Sequence, residues 1–159
     1  MKFFLSREII FILLTFSAFG VHSQSLRWVP QGDGSEVKDI NSGLIWKRCA
    51  EGMQWKGNGC NGSPLLMSHE QALAHARVQV GWRLPNIKEL DTIVDRSFIN
   101  PAVDLAVFPG TPAARFWSSS PFVSDSNYAR YVHFYDGYDG LNGGPRSDTN
   151  LVRLVRLTQ

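Results

Sequence analysis

Hydrophobic and polar positions divide the chain into an apolar N-terminal run, a hairpin, two short helical stretches and a closing group of strands. Ile9 to Val21 is nearly uninterrupted apolar sequence behind Lys2 and Arg7, and Val21-His22-Ser23 carries small or modest side chains at its exit. A charged start, about a dozen apolar residues and a small-residue exit predict a cleavable export signal over residues 1–23, too short a run for a membrane-spanning helix. No stable membrane span remains after cleavage, and no cysteine near the exit offers a lipid attachment point. Residues 24–36 read as a flexible lead-in with Gly32-Asp33-Gly34-Ser35 as turn material. Val37 to Trp46 reads as a hairpin that turns at Asn41-Ser42-Gly43 and returns through Leu44-Ile45-Trp46.

Two capping boxes mark helix starts: Ser68-His69-Glu70-Gln71 and Asn86-Ile87-Lys88-Glu89, each with a polar N-cap and a Gln or Glu three residues on. Met67 is placed to staple onto Ala72, and Ala72, Leu73 and Ala76 form one apolar stripe; Ile87, Leu90, Ile93 and Val94 form another. Neither helix is long enough to stand alone, so both need a sheet to pack on. Phe116 to Ser120 reads as a strand ended by Pro121, and Tyr128 to Tyr135 alternates with Val132 and Phe134 on one face. Asp136 to Gly144 is a turn-rich loop, and Val152 to Leu157 closes the chain. Strict alternation turns either Arg153 or Arg156 inward, which predicts a bulge or a carboxylate partner. The elements add up to an α+β fold with antiparallel strands.

Length and charge narrow the class. Of the 159 residues, those left after the signal suffice for one domain, over residues 37–157. The formal net charge is +2, and +1 once Lys2, Arg7 and Glu8 leave with the signal. That balance argues against a nucleic-acid partner, which calls for a basic face. Five Trp, ten Phe and four Tyr make the core aromatic. Cys49 and Cys60 have ten residues between them, a spacing wrong for a C-x-x-C redox pair and too few cysteines for structural zinc. In an exported chain they form a disulfide, which places the protein in the periplasm or outside the cell.

Gly43-Leu44-Ile45-Trp46-Lys47-Arg48-Cys49, Trp82-Arg83-Leu84-Pro85-Asn86-Ile87-Lys88-Glu89-Leu90, Phe108-Pro109-Gly110-Thr111, Phe116-Trp117-Ser118-Ser119-Ser120 and Val152-Arg153-Leu154-Val155-Arg156 occur in that order. Together they resemble the Lcl C-terminal domain family of exported bacterial domains. The resemblance implies a fold similar to C-type lectins and formylglycine-generating enzymes, and adhesion through sulfated polysaccharides, as in the family's best-known member. It does not imply calcium-dependent sugar binding, since paired E-P-N or Q-P-D ligands are absent from the sequence. Nor does it imply formylglycine synthesis, since no cysteine follows Cys60.

Candidate chemistry is thin. Trp82, Leu84 and Pro85 read as anchors of the second helix, Arg83 and Glu89 as a structural fork, and Trp46, Leu90 and Trp117 as further framework. Ser118 to Ser120 with His133 lack a G-x-S-x-G elbow and read as strand serines exposed on alternate faces, so no enzyme is expected. His69 and His75, six apart on one helix, read as surface histidines rather than a metal pair, and neither metal nor cofactor is expected. Asp136, Asp139 and Asn142 carry oxygen ligands without the frame of an EF-hand. A binding face is expected over residues 121–150, with Tyr128, Tyr135 and Tyr138 for sugar rings and Arg130 and Arg146 for sulfate or carboxylate. Two functions follow: a non-catalytic module recognising a polysaccharide or an envelope protein, or an interaction subunit of an extracellular assembly without a small ligand.

Overall fold

The structure, a computed structural model, describes residues 27–140 and 143–158; the expected export signal and the candidate Asn142 lie outside the described residues. The expected hairpin is the middle of a four-stranded antiparallel sheet ordered β1–β2–β3–β9, made of β1 (Trp28–Gln31), β2 (Glu36–Asp39), β3 (Leu44–Lys47) and β9 (Val155–Leu157). Val37 stands opposite Trp46, and both are buried. A two-stranded ribbon of β4 (Gln54–Trp55) and β5 (Cys60–Asn61) follows, then helices α1 (His69–Arg77) and α2 (Ile87–Asp91). A second sheet, ordered β6–β7–β8, comprises β6 (Arg115–Pro121), β7 (Tyr128–His133) and β8 (Gly144–Pro145). Among the described residues no helix is long and apolar enough to cross a membrane.

The lead-in expected over residues 24–36 is corrected from Trp28 onward. Trp28 lies edge-on to Phe108 with ring centroids 5.2 Å apart, and Arg27 grips Asp39 with two bonds of 3.0 and 2.8 Å. Pro30 is tolerated because β1 is an edge strand, where a missing N–H leaves no gap in the ladder. The loop expected to run to Gly144 is shorter than its sequence suggested, since Gly144 and Pro145 pair with Ala129 and Tyr128.

Both capping boxes form as read. Ser68 accepts from Gln71 N–H at 3.3 Å while the Gln71 side chain takes the Ser68 N–H at 2.8 Å. Ser68→Ala is expected to cost about 1 kcal/mol of stability, read as a lower denaturant midpoint with unchanged slope. Helix α2 ends at Asp91, so Ile93 completes the apolar face from a turn and is buried all the same. Its entry is tied to β6, where Ser119 N–H donates to Pro85 O at 2.7 Å and Ser120 Oγ accepts from Ile87 N–H at 3.0 Å.

Arg153 is the inward arginine, and its environment corrects the expectation. Neither a bulge nor a carboxylate receives it. Its guanidinium donates to the carbonyls of Lys47 and Arg48 and to Thr111 Oγ1, and lies over the rings of Phe108 and Phe116 at 4.8 and 5.8 Å. Burial lowers its pKa to about 9, so the group remains cationic at neutral pH. Arg156 turns outward and meets Glu36 at 2.7 Å.

Candidate functional site

The expected binding face centres on the turn after β7. His133 N–H donates to Tyr138 O at 2.7 Å, Gly137 N–H to His133 O at 2.9 Å, and Asp136 Oδ1 accepts from Tyr138 N–H at 3.1 Å. Gly137 has φ 76°, and a Cβ there would stand 2.5 Å from Val94 Cγ1; glycine lets the turn lie against residues 94–102. From that segment Asn100 N–H donates to Tyr135 O at 2.8 Å and Arg96 to Gly137 O at 3.0 Å. Tyr135 lies beyond the end of β7, which stops at His133, and stacks on the His133 ring at 6.1 Å. Tyr135 and Tyr138 are 46% and 43% exposed, and Phe98 and Ile99 on the adjoining segment are exposed as well. The sequence reading missed this apolar pair, whose signal was two large side chains inside a turn of Asp, Ser and Asn.

The two arginines expected to meet anions are already engaged. Arg130 pairs with Asp139 at 3.1 Å, which joins two of the expected site residues to each other. Arg146 donates to Tyr128 O at 3.3 Å and to His69 Nδ1 at 3.1 Å. His69 is therefore not a surface residue: it is 1% exposed and lies edge-on to Trp117 at 5.3 Å. With Nδ1 accepting from Arg146, the proton sits on Nε2, which donates to Ser118 O at 2.9 Å. Burial, joined by the Arg146 charge, outweighs the bond to Ser118 and holds this imidazole below its usual 6.5. The unfolded chain then takes up a proton that the folded state refuses. Stability is expected to be complete above pH 6.5 and to fall as the pH drops below it, and His69→Gln should flatten that part of the pH–stability curve.

The serines differ from their expected alternate exposure. Ser118 is buried and donates to Arg130 O at 2.8 Å. Tyr128 is half-buried against Phe122, ring centroids 6.3 Å apart. No group of three or more His, Cys, Asp or Glu able to hold a metal occurs among the described residues.

The framework residues behave largely as read. Cys49 and Cys60 are bonded, Arg83 forks onto Glu89 through two bonds of 2.7 Å, and Trp117 Nε1 donates to Met67 O at 2.9 Å. Trp46, Leu84, Pro85 and Leu90 are buried. Trp82 is only half-buried, with Lys47 Nζ 5.2 Å and Arg156 Cζ 5.3 Å from its ring centroid. It walls a cleft that sequence reasoning did not find. There the Glu51 carboxylate collects Lys47 at 2.9 Å, His75 at 2.6 Å and Gln79 at 2.9 Å. Burial pushes the Glu51 pKa up, but those three partners together hold it below 4.5.

A family model for the Lcl C-terminal domain matches residues 35–156. No curated protein and no solved structure matches the chain.

Proposed function

Because the chain belongs to the Lcl C-terminal domain family, we propose that it is an exported, non-catalytic binding module whose contact face is the turn carrying Tyr135 and Tyr138. The observation that carries this reading is the exposure of both rings on a turn whose backbone is held from two sides. A tyrosine on a rigid turn offers flat apolar area and a hydroxyl at low entropic cost, which suits a sugar ring or a protein surface. The Cys49–Cys60 bond supports export, since such bonds persist in oxidising compartments. The absence of turnover is proposed from how the hydroxyls are used: Ser118 serves the Arg130 carbonyl and Ser120 the start of α2.

The test is retention on a glycan array and on immobilised envelope polysaccharide. Tyr138→Ala and Tyr135→Ala are expected to weaken retention about tenfold; unchanged retention in both removes this face. Arg146→Ala is a poor probe, since it strips buried His69 of its donor. The exposed Phe98 and Ile99 favour a second reading, an interaction subunit that contacts protein. An array without signal, alongside an envelope protein cross-linked to a photoreactive residue at position 98, selects that reading.

A further inference from the structure

An asparagine side-chain amide is most open to attack by the next backbone nitrogen when that residue is glycine, which has no Cβ to shield the nitrogen. The sequence holds three such pairs: Asn58-Gly59, Asn61-Gly62 and Asn142-Gly143. The fold restrains two of them. Gly143 N–H donates to Gly140 O at 2.7 Å, which ties up that nitrogen. Asn61 belongs to β5 and stands opposite Gln54, so its backbone reaches a ring-closing geometry only after the ribbon opens.

Asn58-Gly59 has neither restraint. Asn58 is exposed at the tip of the β4–β5 ribbon. The turn is tied on one side alone: Lys56 N–H donates to Gly59 O at 2.9 Å, while among the described residues the Gly59 N–H has no backbone acceptor. A Cβ built on Gly59 would meet nothing within 4 Å, so no neighbouring group screens its nitrogen.

We propose that Asn58 is a site of spontaneous covalent modification, with water as the co-reactant and isoaspartate as the main product. The Gly59 nitrogen gives its proton to solvent base and bonds to Asn58 Cγ. The bond from Cγ to the side-chain nitrogen breaks, and that nitrogen takes a proton from water and leaves as ammonia. Water then opens the cyclic imide. Breaking the bond from Cγ to Gly59 N gives aspartate; breaking the bond from the main-chain carbonyl carbon gives isoaspartate. The sum is one water consumed and one ammonia released, with no oxidant or reductant. Isoaspartate adds a methylene to the main chain inside the turn that Lys56 and Gly59 close, and sets a carboxylate beside Lys56 within the disulfide loop. The site is independent of the tyrosine turn.

The test incubates the disulfide-bonded full chain in mildly alkaline buffer and follows each asparagine by peptide mapping, with Asn58→Asp as the reference for the aspartate product. Asn58 is expected to convert at least tenfold faster than Asn61 or Asn142, with isoaspartate exceeding aspartate. In denaturant that difference should vanish, because the fold sets it. Gly59→Ala should slow conversion at least tenfold. Gly59 lies outside the left-handed region and a methyl group there has open space, so this variant folds. Amide exchange across residues 54–61 should be faster in the converted protein. Three results overturn the proposal: Asn58 converting no faster than Asn61, aspartate as the sole product, or Gly59→Ala converting at the parent's rate.

Discussion

Arg153→Ala is expected to lower the unfolding free energy by about 3–5 kcal/mol, the largest single-residue effect anticipated in the domain. The guanidinium fills the space between Phe108 and Phe116 and supplies hydrogen bonds to the Lys47 and Arg48 carbonyls and to Thr111 Oγ1. Truncation opens a void and leaves buried acceptors without a donor, and these two costs exceed the relief of no longer burying a cation. Arg153→Met separates them: it refills the volume but not the hydrogen bonds, and should recover part of the loss. Because burial lowers this pKa to about 9, the desolvation cost is present in full at neutral pH and fades only as the pH rises above that value. The Arg153 contribution should therefore be constant from pH 5 to 8. Denaturant unfolding checks each statement, and an Arg153→Ala midpoint equal to the parent's would show that the acceptors find water instead.

Removing the disulfide through Cys49→Ser and Cys60→Ser together is expected to cost on the order of 2–3 kcal/mol, mainly by freeing the unfolded chain. The loss should be larger locally than globally. The closed segment carries Glu51 and Trp55, and Gly110 packs on Met53 and Cys60 from the other side. Mild reduction is expected to speed amide hydrogen exchange across residues 50–59 before the protein unfolds. Unfolding curves and amide exchange with and without reductant, paired with intact mass under non-reducing conditions, read both effects; identical midpoints would mean that packing alone holds the loop.

Residues whose partners lie a few positions away were legible. The capping boxes at Ser68 and Asn86, the turn at Asn41-Ser42-Gly43 and the Arg83–Glu89 fork each follow from spacing, because the backbone geometry that joins them is local. The Cys49–Cys60 bond joins the two cysteines of the sequence, as their count and spacing suggested. Of the residues chosen for the candidate face, Tyr135 and Tyr138 are exposed, whereas Arg130 and Arg146 are spent on partners within the protein. Alternation along β7 says which side a residue leaves from, not what waits there. Arg146 meets a histidine 77 positions away, a distance at which no periodicity carries information.

By itself the sequence determined the β2–β3 hairpin, the two capped helices, the covalent loop and membership of the family, because these depend on interactions within a dozen residues or on ordered motifs. Only the tertiary structure decided which polar groups are consumed and which are offered. Val155 closes the first sheet on Trp46 and also exchanges backbone bonds with Arg83. That closure brings Arg156 and Trp82 beside Lys47 and Glu36, and so creates the cleft. Such contacts carry the loop-closure entropy of most of the chain and form only when the aromatic core gathers all the strands at once.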